Sequence, residues 1–368
     1  VTCFPNHPTG IIPEEYKGLK YKNEIMDGIN VYRNYVYATP NKGFVKKTIG
    51  HISFMISSVV ISMKKINNPD VIITSSPTFF SIFSGYWYSL RKKAPFVLEI
   101  RDLWPAAMIE LGVLKEGFIT NVLEKMELFF YRKCDRLIMV TESFKDNVVN
   151  RGIDRDKVYV ITNGVNQELF YPREKNKLLI DNYDFKDKFV ISYVGAHGIS
   201  QNLSTILKAA KALIDYKDIQ FLFIGEGAEK DKLKNIAQTE NITNVTFIDS
   251  QPKEMIAEFY NMSDICLIPL KKIELFKTFI PSKMFEIMAC GIPIVASLEG
   301  EAAEILNDSK SALVVEPDNS EEIKLAILKL KEDKSLYNQF KRNGPTFVGE
   351  NYSRKKLAEK YLDIIRNI

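Results

Sequence analysis

The sequence predicts an α/β protein built from two doubly wound, Rossmann-like domains facing a cleft. Short β-branched or apolar runs alternate with longer amphipathic segments along the chain. A polar, Lys- and Asn-rich stretch at residues 172–187 interrupts that rhythm near the middle. With 368 residues, 46% of them hydrophobic, there is enough apolar surface for two ordinary cores.

In the first half, strand-like runs fall at residues 71–74, 96–100, 136–140 and 158–161. Two helical segments precede or separate them. Residues 49–63 are apolar but bracketed by Lys46, Lys47, Lys64 and Lys65 and diluted by Ser53, Ser57, Ser58 and Ser62, too short a run to span a bilayer. They suit either a packed domain helix or an amphipathic helix lying on a membrane, lysines toward lipid phosphates. Residues 79–90, followed by Arg91, Lys92 and Lys93, repeat the theme of aromatics beside a basic cluster. Directly after the 96–100 run come Arg101 and Asp102, two charged groups at the carboxyl end of a strand, fit for a surface ion pair or for a site at the domain's mouth.

The second half reads as strands at 189–194, 220–224, 245–248, 265–269, 292–296 and 312–315, with helices such as 203–214 and 230–238 between them. Gly195, Ala196, His197 and Gly198 follow a strand and precede a helix, so their backbone N–H groups could receive a diphosphate. A second glycine turn, Gly225-Glu226-Gly227, ends the next strand. Residues 281–289 form an almost wholly apolar helix, stopped by Gly291 and followed after Pro293 by a β-branched strand. Such a helix is buried, and Glu286 sits inside it. An unpaired carboxylate there costs several kcal/mol, on the order of the buried-charge penalty. A protein cation, the helix N-terminus or the hydroxyls of a polar ligand must answer it.

Charge narrows the partners. Residues 1–173 carry 23 basic and 17 acidic side chains, and the remainder 27 and 29, so the basic excess lies in the first half. That excess suits an anionic membrane surface or a phosphorylated substrate and falls short of a nucleic-acid-binding face. Cys3, Cys134, Cys266 and Cys290 form no CxxC pair and read as packed free thiols of a reducing, cytoplasmic compartment. His7, His51 and His197 are far apart and lack companions at ligand spacing, so no metal site is expected.

Taken together these segments resemble family 4 glycosyltransferases of the GT-B fold. The likeness rests on Val160, Ile161, Thr162, Asn163, Gly164, Val165, Asn166, Phe170 and Pro172, similar to the family's "I-P-N-G-V-D…F-x-P" hinge, and on the "E-x-M-A-C-G-x-P-V-V-A" pattern of the Glu286 helix. "R-D-L-W-P" from Arg101, "F-P-N-H-P-T-G" from Phe4 and "P-S-K" from Pro281 are similar to the subgroup acting in O-antigen, capsule and colanic acid assembly, N-acetyl-fucosamine transferases included.

The resemblance implies retaining transfer of a sugar from a nucleotide diphosphate donor, most often UDP-linked, with no cofactor and no required metal. By it Glu286 binds the donor ribose, Gly195, His197 and Gly198 face the diphosphate, and Lys277 and Lys283 neutralise it. Ile248, Asp249, Ile268 and Leu270 line the base pocket; Phe279, Ile280 and Ser282 lie along the donor sugar. Asp102 and Arg101 stand near the acceptor and the reacting sugar. The implied acceptor is an undecaprenyl-diphosphate-linked saccharide at the inner face of a bacterial plasma membrane, with the protein peripheral there. Three positions depart from the family pattern: Phe279 replaces a second Glu, His197, Gln201 and Asn202 stand where an Arg and a Lys are common, and Arg101 stands where some members have a histidine.

The implied domains are 1–173 for the acceptor, 174–350 for the nucleotide sugar, and a terminal helix at 351–368 returning to the first. Aligned on the family, Val1 falls near the end of its second strand, so the first strand-helix unit is expected to be missing. A UDP-N-acetylglucosamine 2-epimerase shares this fold, though the N-G-V hinge argues against it; a weakly catalytic UDP-binding assembly partner is the non-enzyme alternative.

Overall fold

The computed structural model describes residues 1–6, 10–39, 44–76, 79–110, 112 and 114–368, apart from the side chains of Phe44 and Ala107. His7, Pro8 and Thr9 of the opening motif lie outside the described residues. The chain divides into two compact units: Val1–Ile161 with Tyr361–Ile368, and Thr162–Lys360.

In the first unit, β1 (Thr2–Cys3), β2 (Tyr21–Met26) and β3 (Ile29–Asn34) form a small sheet in the order β1-β3-β2, with β2 and β3 antiparallel. The β2–β3 turn is Asp27-Gly28, both at positive φ, the geometry that Asp-Gly hairpins favour. α1 (Phe44–Ser57) follows and runs on through a π-helical turn at Ser58–Ser62. Then come β4 (Ile72–Ser75), α2 (Phe79–Lys92), β5 (Phe96–Ile100), α3 (Ala106–Glu110), α4 (Phe118–Lys133), β6 (Arg136–Met139), α5 (Glu142–Asn150) and β7 (Val158–Val160). The strands β4-β5-β6-β7 make a parallel sheet, each neighbour joined through a helix. Under it lies a buried ion pair. Glu127 of α4 meets the Arg151 guanidinium at 2.7 Å and accepts the Tyr131 hydroxyl at 2.8 Å.

The second unit holds α6 (Lys177–Asn182), β8 (Phe189–Val194), α7 (Ser204–Ala212), β9 (Ile219–Ile224), α8 (Lys230–Thr239), β10 (Val245–Ile248), α9 (Lys253–Met262), β11 (Ile265–Pro269), α10 (Lys283–Ala289), β12 (Ile294–Ser297), α11 (Glu301–Ser309), β13 (Ala312–Val315), α12 (Ser320–Glu332), α13 (Lys334–Asn351) and the start of α14 (Arg354–Arg366). Its six parallel strands run β10-β9-β8-β11-β12-β13, which is the doubly wound 3-2-1-4-5-6 order. The topological switch falls between β8 and β11. Along β9, Leu222 and Ile224 feed one core while Phe221 and Phe223 feed the other, because both faces of the sheet are covered by helices.

Two boundaries differ from the sequence expectation. Residues 162–173 pack with the second unit: the Val165 N–H donates to Tyr352 O at 2.9 Å, and Phe170 is buried against Tyr260. The stretch expected to be a linker, 172–187, holds α6, whose first N–H groups are capped by the Asn176 side chain. Its polar residues are anchors: Arg173 pairs with Glu258, and Lys175 with Asp264 at 2.7 Å. Tyr361–Ile368 group with the first unit, where the Arg136 guanidinium donates to Asn367 O at 2.6 Å.

Candidate functional site

The switch point of the second unit is where an open parallel sheet receives its ligand. β8 ends at Val194, and its glycine turn is packed against the turn that ends β9. A Cβ on Gly225 would collide with the Gly195 carbonyl, and one on Gly227 with the His197 carbonyl. Gly195 and Gly225 also sit at φ +142° and +141°. Glycine is therefore required at both turns for the loops to touch.

His197 is fully buried. Its N–H donates to Glu226 O at 2.8 Å, its carbonyl accepts from Glu229 N, and the ring lies among Tyr193, Phe223 and Phe247. Burial, reinforced by the nearby Lys230 charge, pushes its imidazole down to about 4. The His197 backbone N–H is thus spent within the paired turns, and both ring nitrogens are buried with no hydrogen-bond partner among the described residues.

Lys283, at the start of α10, carries the positive charge instead. Its Nζ lies 4.3 Å from the Tyr193 ring centroid and abuts Gly195, where a Cβ would strike it. Among the described residues no carboxylate comes within ion-pairing distance of that ammonium. Burial lowers its pKa to about 8, with Glu286 opposing the shift. The Tyr193 hydroxyl donates to Ala196 O at 2.7 Å, so one side chain holds both the loop and the lysine.

One turn along α10, Glu286 is half-buried between the core residues Phe285 and Ile287. Burial raises its carboxyl pKa, partly offset by the more distant charges of Lys253, Arg354 and Lys283. Among the described residues nothing hydrogen-bonds or ion-pairs with its carboxylate. The carboxylate thus has no protein partner and, being half-buried, stays open to solvent or a ligand.

Lys230, which sequence reasoning passed over as an ordinary helix start, is buried and reaches both neighbouring loops. Its Nζ lies 2.6 Å from Glu226 and 2.6 Å from Asp249, and 3.4 Å from Ile248 O. Burial disfavours its charge, but the two carboxylates outweigh that and raise its pKa. Asp249 itself is exposed.

The remaining assigned residues divide. Ile248, Ile268 and Ile280 are buried in the core, and the Leu270 N–H is spent on Ser297 O. Ser282 is exposed beside the start of α10. Phe279 packs edge-on against Phe276. Lys277 is already paired, 2.6 Å from Glu274 and 3.7 Å from Glu299, so the structure does not offer it as a free phosphate partner. In the first unit, Arg101 and Asp102 follow β5; Arg101 lies 3.3 Å from Glu99, and burial raises the Asp102 carboxyl pKa, Arg101 opposing.

A glycine turn at the switch point, a lysine without an ion-pair partner beside it and a half-buried carboxylate one helical turn away thus lie together at the carboxyl end of β8. Residues 14–169 match Glycosyltransferase Family 4, and residues 174–347 match Glycosyl transferases group 1. The chain belongs to the family 4 glycosyltransferases and is a hexosyltransferase. It is 25% identical over 331 residues to WcaI of Escherichia coli, named as a colanic acid biosynthesis glycosyl transferase, covering 87% of this chain and 81% of that one. In fold it is similar to sucrose-phosphate synthase from Thermosynechococcus elongatus (TM-score 0.73, 18% identity, 95% of this chain and 86% of that one). It is also similar in fold to HepE of Anabaena (TM-score 0.71, 14% identity, 85% and 82%).

Proposed function

We propose that this chain is a retaining glycosyltransferase of surface polysaccharide synthesis, moving a sugar from a UDP-linked donor to a lipid-linked saccharide acceptor. The observation that carries the donor half is the pair of unanswered opposite charges, Lys283 beside the Gly195 turn and Glu286 one turn along the same helix. A diphosphate neutralises the first, and ribose hydroxyls satisfy the second. Lys283 then stabilises the negative charge that develops on the departing diphosphate. Asp102 and Arg101 take the acceptor side of the reaction. The acceptor half draws on the likeness to WcaI, named for colanic acid biosynthesis, and on the basic first half of the chain; HepE has been crystallised with UDP and glucose. No helix among the described residues is long and apolar enough to cross a membrane.

The test is incubation of the purified chain with UDP-sugars and undecaprenyl-diphosphate-linked acceptors, scored by mass spectrometry and by the anomeric configuration of the product. A lengthened lipid-linked saccharide with retained configuration is expected. Donor epimerisation without acceptor, or UDP binding with no transfer to any acceptor, would replace this reading.

A further inference from the structure

Serines of α1 and of its π-helical continuation face the protein: Ser57 Oγ donates to Tyr35 O at 2.6 Å, Ser58 Oγ to Ser84 Oγ at 3.0 Å, and Ser62 Oγ to the buried Asn34 side chain at 2.8 Å. The apolar side chains of this segment face out at helical spacing. Val45 is 68% exposed, Ile49 47%, Ile56 54% and Val60 65%. In a helix whose whole purpose was domain packing the two faces would be exchanged.

The exposed stripe borders a groove of about 470 Å³ between α1, α2 and α4, lined by Met55, Ile56, Val60, Phe83, Trp87 and Phe129 among others. Charge frames it. Residues 44–93 hold seven basic side chains and a single acid, Asp70, with Lys46 and Lys47 at one end of α1, Lys64 and Lys65 past the other, and Arg91 and Lys92 in the last turn of α2. At the α4 side, Lys133 Nζ stands 5.9 Å from the Phe129 ring. An apolar slot with an aromatic rim inside a lysine frame matches an anionic bilayer, hydrocarbon below and phosphate above.

We propose that this face of the first unit docks on anionic phospholipid membranes, with one acyl chain of a phospholipid entering the groove beside Trp87. The proposal deepens the reading of a membrane-borne acceptor and rests on it for the presence of a bilayer, but its test needs no acceptor. The full chain is sedimented with vesicles of phosphatidylglycerol and phosphatidylcholine, and with phosphatidylcholine alone. Binding to the first, on the order of tenfold weaker to the second and weakened by salt, is expected. Ile56→Glu should cut the bound fraction by about tenfold with its melting temperature unchanged, since the position is exposed.

Insertion is read separately in Trp104→Phe, where Trp87 becomes the sole tryptophan: phosphatidylglycerol brominated on its acyl chains should quench it. Failure to sediment, binding indifferent to Ile56→Glu, or an unquenched Trp87 overturns the proposal; so does a dimer that Ile56→Glu dissociates, which would give the face to a second copy. Vesicle binding without sugar transfer would instead remove the glycosyl-acceptor reading and leave the docking face standing.

Discussion

The Lys283 ammonium stands 4.3 Å from the centroid of the Tyr193 ring, and it forms no ion pair among the described residues. A π-face is a weaker partner than a carboxylate, about 0.5 to 2 kcal/mol by general experience. The charge is thus held in place without being neutralised. On the proposed reading, an arriving diphosphate would displace no carboxylate to reach it.

The first prediction concerns pH. Lys283 has its pKa lowered from 10.5 to about 8, so it loses its proton in the free protein as pH rises through that value. Affinity for UDP should therefore fall between pH 7 and pH 9.5, with proton uptake on binding near pH 8. Calorimetry in buffers of different ionisation enthalpy measures both, and Lys283→Met should flatten both. The effect on folding has the opposite sign. Between about 8 and 10.5 the unfolded chain binds the extra proton, so this residue makes the ligand-free protein more stable as pH rises.

His197 governs the acid side. Its imidazole resists protonation down to about 4 in the folded protein, whereas the unfolded chain takes up the proton near 6.5. Stability from this group is complete above pH 6.5 and is lost as pH falls toward 4. His197→Phe, which keeps an aromatic ring in the pocket, should shift the low-pH limb of the melting-temperature profile to lower pH; an unchanged limb would clear His197 of the role.

Glu286→Gln should separate stability from function. The carboxylate has no protein partner, so its removal leaves melting temperature unchanged or higher, as at other strained functional sites. UDP binding should weaken by about 10- to 100-fold, the worth of charged hydrogen bonds to hydroxyls. Melting curves with and without UDP read both quantities.

Gly195→Ala places a methyl against the Lys283 Nζ at φ +142°. We expect roughly 1 to 3 kcal/mol lost to the backbone conformation, together with a raised KM for the donor. Adding Lys283→Ala should relieve the collision without restoring the affinity, a non-additivity that a double-mutant cycle measures.

In the first unit, Arg151→Met leaves Glu127, 2% exposed, with only the Tyr131 hydroxyl. About 3 to 5 kcal/mol of stability should go with it, the usual consequence of halving a buried ion pair. Arg151→Met with Glu127→Gln should recover part of that loss in urea unfolding.

The inner strands of the second unit are legible because they are buried on both faces and so read as unbroken apolar runs: 189–194 and 265–269 agree with β8 and β11 residue for residue, and 245–248 and 312–315 agree with the partly buried edge strands β10 and β13. The β2–β3 hairpin is hard to read from sequence for the converse reason: its strands, YKNEIM and INVYRN, are polar and partly exposed, with only Asp27-Gly28 to mark the turn. At the site, Glu286 is legible as a charge in an apolar helix, and Lys283 enters through the family resemblance. Lys230 is not legible, because its burial depends on Glu226 and Asp249 arriving from two different strand ends, which no local pattern records. The inward serines of α1 were visible as composition but not as direction.

That three-way joint has an evolutionary implication. One buried lysine ties two exposed acids, so losing Lys230 would free both loops at once, whereas losing either acid would leave the buried ammonium with a single carboxylate. Change is cheaper where side chains stand apart from that joint: on the proposed reading, Phe279 and Ser282 are positions at which the sugar carried could alter while the joint stays as it is.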